Sequence, residues 1–454
     1  MNFQIAPGGV LCGRVRVPGD KSISHRAVIL AAIAEGATDI EGFLEGEDTL
    51  QTVAAFRALG IQIEGPRQGR LRIHGRGLHG LEAPVAALYV GNSGTSMRLL
   101  AGLLAGQRFD SELTGDTSLS RRPMRRVTEP LARMGARLLT SETGTPPLRI
   151  KSARALTGVD YRMPMASAQV KSSLLLAGLY ASGRTCVQEP AATRDHTERM
   201  LEGFGYPVER VGGRVCVRGG GRLQGMALQI PGDLSSAAML MVGAAIAAGS
   251  DLLIEDVGVN PTRSGVIDIL RTMGADVVLL RERQVSGEPV ADIRVRARPL
   301  RGVAISPMQV PLAIDELPVL LIAAACAQGE TTLSGAAELR VKESDRIAAL
   351  AEGFTQLGVK AIPTPDGMIV HGGVLTGGRI NSFGDHRIAM AFAVAALRAN
   401  APIVVEDCAN VDTSFPGFAA LARATGLNIK LSAADDQLGQ NKHMRRGKVE
   451  KDAG

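Results

Sequence analysis

Apolar residues along the chain gather into Ala-, Leu- and Val-rich stretches at helical spacing, and a short polar residue precedes each one: Asp20, Asn92, Ser167, Asp233, Asp315 and Asp385. The intervals between these six are 72, 75, 66, 82 and 70 residues. Asp, Asn and Ser accept hydrogen bonds from the free N–H groups of a helix's first turn, so the pattern predicts six helix starts. The repeat is clearest where Pro18-Gly19-Asp20-Lys21-Ser22 matches Pro231-Gly232-Asp233-Leu234-Ser235. About four turns on, the stretches meet Gly36, Gly106, Gly183, Gly249, Gly329 and Asn400, residue types that tolerate the left-handed conformation ending a helix. β-type runs follow at 38–40, 109–113, 185–187, 252–254, 331–333 and 403–405, and a second helix is expected to end at Gly60, Gly135, Gly205, Gly274, Gly358 or Gly426. The unit reads strand, helix, strand, helix, strand, with right-handed crossovers between parallel strands. At about 70 residues it is too large for most solenoid repeats. The prediction is an α/β fold of two pseudo-symmetric lobes, three units each, divided just before Pro231. From about Ser432 the charges are mixed and no apolar period remains, so 432–454 is expected to be a disordered tail.

Composition supports large cores and several domains: 454 residues, 45% hydrophobic and 21% charged. Aromatics are 3%, with no Trp, so the cores must be built from aliphatic side chains and Met. The longest apolar run, 237–248, falls short of the roughly 20 residues a membrane helix needs. The opening residues lack the basic start and apolar stretch of a signal peptide, and a cytoplasmic protein is expected. Five cysteines (Cys12, Cys186, Cys216, Cys326, Cys408) stand far apart without a Cys-x-x-Cys pair, which predicts free, mostly buried thiols and no zinc site. A net charge of +6 suits anionic partners. Without a basic stripe or stacking aromatics, small anions come before nucleic acid.

Several helix starts are followed at once by polar or cationic residues: Lys21, Ser22 and Arg26 after Asp20; Ser93-Gly94-Thr95 after Asn92; Ala168-Gln169-Val170-Lys171 after Ser167; His386-Arg387 after Asp385. Free N–H groups, the positive end of the helix dipole and added cations make such ends anion sites, and several in one cleft would hold a multiply anionic ligand. Two basic strings, 120–126 and 340–346, occupy matching places in units two and five. Arg122, Lys342 and Arg346 are read as anion-binding, whereas Arg125, Arg126 and Asp345 fit a solvated face with ion pairs. Asp315 and Glu343 stand beside these cations as candidates for general acid and base, although Asp315 alone would be read as a helix cap.

These strings, together with Arg194-Asp195-His196-Thr197-Glu198, Asn260-Pro261-Thr262-Arg263 and Asp385-His386-Arg387-Ile388-Ala389-Met390, resemble the 5-enolpyruvylshikimate-3-phosphate synthase family over 18–426, with features of its class II subgroup. The resemblance implies two lobes of three βαβαββ units each, the first over 19–230 and the second over 231–431 joined by 1–18. It implies that the enolpyruvyl group of phosphoenolpyruvate passes to the 5-hydroxyl of 3-phosphoshikimate by addition and elimination, with no metal or other cofactor. By position, Lys21, Ser22, Arg26, Ser167, Ala168, Gln169, Arg194, Asp315 and Lys342 would hold 3-phosphoshikimate. Lys21, Gly94, Arg122, Gln169, Arg346 and Arg387 would hold phosphoenolpyruvate, with Asp315, Glu343 and Lys21 catalytic. A monomer that glyphosate inhibits is implied, with neither nucleic acid nor membrane as a partner. Many relatives carry Lys where Thr413 stands here, so a lysine role is not carried over. UDP-N-acetylglucosamine enolpyruvyl transferases share the fold and reaction type but carry a reactive Cys in the loop that here reads 115–123, which has none.

Overall fold

The computed structural model describes residues 1–152 and 155–433; positions 434–454 of the expected tail lie outside them. Thirteen α-helices form among the described residues: α1 (Lys21–Ala32), α2 (Glu47–Ala58), α3 (Gly94–Ala105), α4 (Arg125–Arg133), α5 (Ala168–Gly178), α6 (His196–Gly203), α7 (Leu234–Ile246), α8 (Gly265–Thr272), the short α9 (Val310–Ala313), α10 (Leu317–Ala325), α11 (Arg346–Gln356), α12 (His386–Ala395) and α13 (Phe418–Thr425). Helices α7 and α10 are buried along their whole length. A helix apolar on every side is stable only inside a core, and the first helices of the units fill that place. They pack as two sets, α1, α3 and α5 in one lobe and α7, α10 and α12 in the other. Small residues permit the closest contacts: a Cβ on Gly102 of α3 would meet the Ser173 carbonyl of α5 at 2.0 Å. The second helices are amphipathic and lie outside; α4 buries only Val127, Pro130 and Leu131.

Six four-stranded sheets cover the helices, each with one parallel and two antiparallel pairings. Three strands join sheets remote in sequence. Asn2–Ile5 lies between Ile403–Glu406 and Ile429–Ser432, and Cys12–Arg16 pairs with Asp251–Gly258. In the opposite direction, Ala227–Gln229 pairs with Glu35–Glu41. Ser432 is therefore the last residue of a strand. The two crossing segments meet where the Asp20 N–H donates to the Pro231 carbonyl and the Asp233 N–H to that of Pro18. One apolar core gathers side chains from Ile23 to Ile230; the other gathers Phe3, Ile5, Leu11 and Val17 with residues from Leu234 to Ile429.

Four expectations need correction. Ser93, not Asn92, caps α3, accepting from the Ser96 N–H. Asp315 does not cap α10, which Glu316 precedes without a side-chain capping bond, so the Asp315 carboxylate is free for other partners. Helices α1, α5, α7 and α10 end before Gly36, Gly183, Gly249 and Gly329, which sit at φ +92°, +85°, +86° and +87°; Gly183, Gly249 and Gly329 serve the turn into the next strand, and Gly36 is already the second residue of the strand Glu35–Glu41. Finally, the cysteines are not all free thiols: Cys186 and Cys216 face each other on neighbouring antiparallel strands and form a disulfide, leaving Cys12, Cys326 and Cys408 unbridged. No helix among the described residues is long and apolar enough to cross a membrane.

Candidate active site

A cavity of about 350 Å³ opens between the lobes, lined by the starts of α1, α3, α5 and α12 and by the segments before α10 and α11. Of the fourteen residues singled out in sequence, all but Arg26 line it. Arg26 stands one layer behind, its guanidinium donating to Thr197 Oγ1 at 2.7 Å, Ser172 Oγ at 2.9 Å and the Ser22 carbonyl at 2.9 Å. It braces the start of α1. Burial lowers its pKa to about 10 against the opposing pull of Glu198.

Four cations surround Asp315. Arg194 of the first lobe donates to it, and Arg346, Arg387 and Lys342 approach at 3.7, 3.7 and 3.9 Å. Burial alone would push this carboxyl up, but the cations outweigh it and hold the group well below the ordinary carboxylate range. Glu343 is held likewise. Arg122 of the first lobe donates to it at 3.1 Å and Arg346 at 2.6 Å, and its pKa also lies well below the ordinary range despite burial. Arg346 is itself fixed by Asp385, the cap of α12, at 2.8 Å. The two candidate acids are thus anions, each gripped from both lobes.

The first lobe supplies mostly donors. Lys21 Nζ donates to Asp48 Oδ2 at 2.5 Å and to Ser414 Oγ at 2.9 Å. Burial raises the Asp48 pKa against the pull of Lys21. Arg122 is aimed by Asn92 Oδ1 at 2.6 Å. Arg98 donates to Gln169 Oε1 at 2.5 Å, and Gln169 in turn to Thr95 Oγ1 at 2.8 Å, so α3 and α5 are cross-linked at their starts. Burial, with Arg126 and Arg122 nearby, lowers the Arg98 pKa to about 10. Below the cleft, Arg263 donates to the caps of α1 and α7, Asp20 and Asp233, and ties the crossing segments together.

Sequence reading missed Asp48 and Arg98, and quoted Arg263 within the 260–263 string without giving it a role. Asp48 is one of two acids in the first turn of α2 and reads as a helix-start acid; its pairing with Lys21 is tertiary. At the Thr413 departure the hydroxyl turns away and donates to the Asn410 carbonyl at 2.7 Å. Among the described residues no cluster of three or more His, Cys, Asp or Glu is placed to hold a metal ion.

Six units around a cation-lined interlobe cleft define a class of two-lobed transferases, and comparison with known proteins narrows the class. The family model for EPSP synthase (3-phosphoshikimate 1-carboxyvinyltransferase) matches residues 5–421. The 3-phosphoshikimate 1-carboxyvinyltransferase of Methylococcus capsulatus is 65% identical over 430 residues, 95% of this chain and 98% of that protein. The one from Nitrosococcus oceani is 66% identical, over 95% and 97%. The solved EPSP synthase of Acinetobacter baumannii superposes with a TM-score of 0.86 at 54% identity, covering 95% of this chain and all of that one. The chain belongs to the EPSP synthase family.

Proposed function

We propose that the cleft divides the work of enolpyruvyl transfer from phosphoenolpyruvate to 3-phosphoshikimate, the shikimate-pathway reaction of this family, between its two faces. 3-Phosphoshikimate lies against Lys21, Ser22, Ser167, Ala168, Gln169 and Arg194, with Arg26 behind Ser22, and meets Asp315 and Lys342 from the second lobe. Phosphoenolpyruvate lies against Lys21, Gly94, Arg122, Gln169, Arg346 and Arg387. Asp315 takes the proton of the 5-hydroxyl as its oxygen attacks C2, Glu343 delivers a proton to C3, and Lys21 balances charge at the bridging oxygen. The tetrahedral adduct then returns a C3 proton to Glu343 as the C2–O bond to phosphate breaks, and the phosphate leaves with the proton that Asp315 had taken from the hydroxyl.

What carries this reading is that Asp315 and Glu343 are each held by cations from both lobes around one cavity. Asp315 is held as the carboxylate, the form that can accept a proton. Glu343 must first gain a proton, and phosphoenolpyruvate provides the means: its anionic groups compete for Arg122 and Arg346, the cations that depress the Glu343 pKa most. Substrate binding thereby arms the acid.

In this reading 19–230 closes as one body on 1–18 with 231–431, excluding water. The protein acts as a cytoplasmic monomer, since one chain supplies every group used. Glyphosate competes with phosphoenolpyruvate. Class II membership rests on the 19–21, 167–171, 194–198 and 260–263 strings, whose residues include the partners of the Asp195–Asn260 and Asp20–Arg263 contacts. Phosphate release from phosphoenolpyruvate, followed with and without 3-phosphoshikimate in the presence of a chelator, tests the whole: release should require 3-phosphoshikimate and survive the chelator. Activity lost to chelator and restored by a divalent metal would overturn it.

A further inference from the structure

We propose that Ser414 is a positioning residue for Lys21, and that the turn carrying it transmits lobe closure to the ammonium group. An ammonium has three donors. One goes to Asp48 at 2.5 Å and one to Ser414 Oγ at 2.9 Å, which leaves the third for the cavity that Lys21 lines. Asp48 and Lys21 belong to the same lobe, so their contact survives any lobe movement. Ser414 lies 393 residues from Lys21 in sequence and belongs to the other lobe, so its contact exists only when the lobes meet.

The turn is built to hold its place. Ser414 is buried, and the next residue, Phe415, packs edge-on against Phe418, which packs on Phe3 in the second core. Thr413 is pinned to the Asn410 carbonyl. On its first-lobe side the turn touches Gly46, the residue before α2: a Cβ at Gly46 would stand 2.9 Å from the Thr413 carbonyl oxygen. Two residues on is Asp48. One second-lobe turn therefore contacts Lys21 directly and also the helix start carrying its other partner. Parting the lobes would remove both contacts at once and free the ammonium to swing about Asp48.

The inference rests on the reading that Lys21 touches substrate, so the test separates the two. kcat and KM for both substrates are measured for Ser414→Ala, Ser414→Thr, Gly46→Ala and Lys21→Met, with folding checked by thermal melting. Ser414→Ala should lower kcat about tenfold, the scale of one hydrogen bond to a charged group, with KM changed less than about twofold. Ser414→Thr, which keeps the hydroxyl, should recover most of that loss. Gly46→Ala, a methyl pressed on the Thr413 carbonyl, should lower kcat and enlarge the scattering radius of the substrate-saturated enzyme. Native kcat in Ser414→Ala or in Gly46→Ala, or a Ser414→Thr no better than Ser414→Ala, would overturn the positioning role while a dead Lys21→Met left the reading of Lys21 standing. A fully active Lys21→Met would overturn both.

Discussion

The two faces of the cleft are built to different plans. The first lobe presents Lys21, Arg98, Arg122 and Arg194 with hydroxyls and two amides, Asn92 and Gln169, and its carboxylate there, Asp48, is engaged by Lys21. The second lobe presents Asp315 and Glu343 interleaved with Lys342, Arg346 and Arg387. Neither face is complete: each acid draws part of the charge that holds it ionised from a first-lobe arginine, Arg194 for Asp315 and Arg122 for Glu343, and the first-lobe cations would repel one another without those acids. Reactive groups on one lobe and much of the binding charge on the other make chemistry conditional on the lobes meeting, a division that keeps water from a half-assembled site.

The largest expected effect sets the lobes side by side through their buried histidines. His25 of α1 and His386 of α12 are both held neutral, His25 well below its ordinary pKa by burial and by Lys21 and Arg26, His386 at about 3 by burial and Arg387. Unfolding lets each take a proton near its ordinary pKa, so the unfolded state binds more protons and stability must fall as pH drops below about 6.5. For His386 the loss continues down to about pH 3. Each histidine contributes a slope of up to about 1.4 kcal/mol per pH unit. Denaturant midpoints between pH 7 and 4 should show this fall, and His386→Gln should flatten it; equal slopes in both proteins would mean that His386 is protonated in the fold.

Next come the second-lobe acids. Asp315→Ala and Glu343→Ala should each lower kcat by at least about 100-fold while the proteins stay folded, as removal of a positioned acid or base does. Near-native kcat in either variant would reduce that carboxylate to a counter-ion for the arginines and erase the asymmetry between the faces.

A first-lobe change should do less to turnover and more to ligand choice. A Cβ on Gly94 would come within 3.0 Å of Nη1 of both Arg122 and Arg98. These are ends of flexible side chains that can shift, so the cost falls near the low end of the 1–3 kcal/mol typical of overpacking, about tenfold in affinity. Gly94→Ala should weaken glyphosate by roughly that factor and phosphoenolpyruvate, the smaller ligand, by less. Equal inhibition constants for the native and substituted enzymes would show that the pocket is shaped elsewhere.

Much of this was legible in the sequence because its signals are local. Asp20, Ser167, Asp233 and Asp385 accept first-turn N–H bonds through their side chains. Gly60, Gly135, Gly205, Gly274, Gly358 and Gly426 all sit at positive φ where the second helices stop. Cleft residues were found through motifs that begin helices, through the two basic strings and, for Arg194, through the family resemblance. What escaped was tertiary. Cys186 and Cys216 are 30 residues apart, and only the register of two antiparallel strands makes them neighbours. Lys21 gives no hint that Asp48 and Ser414 will take two of its donors, and the spacing of Arg26 along α1 does not tell that Ser172 and Thr197 will draw its guanidinium behind the cleft wall.

The smallest effect is expected at the rim, where Arg126 of the first lobe donates to both carboxylate oxygens of Glu338 in the second, at 2.9 and 3.1 Å. The rim pair is bidentate where the inner Arg122–Glu343 pair makes a single bond at 3.1 Å, but it lies nearer the solvent: 26% and 33% of its side chains is exposed, against 7% and 20% for the inner pair. Water and salt screen the rim pair, and ion pairs of this kind contribute at most about 1 kcal/mol. Arg126→Ala should therefore lower kcat/KM by less than about fivefold, and the difference should shrink as salt is raised from 0.05 to about 0.5 M, where the screening length becomes comparable to the pair itself. Arg122→Ala should cost far more and keep its cost in salt, because Arg122 is buried and acts on the reacting groups. A rim variant as damaging as the inner one would mean that closure, rather than the chemistry it encloses, limits the rate, and that the two lobes are latched at their edges before their faces engage.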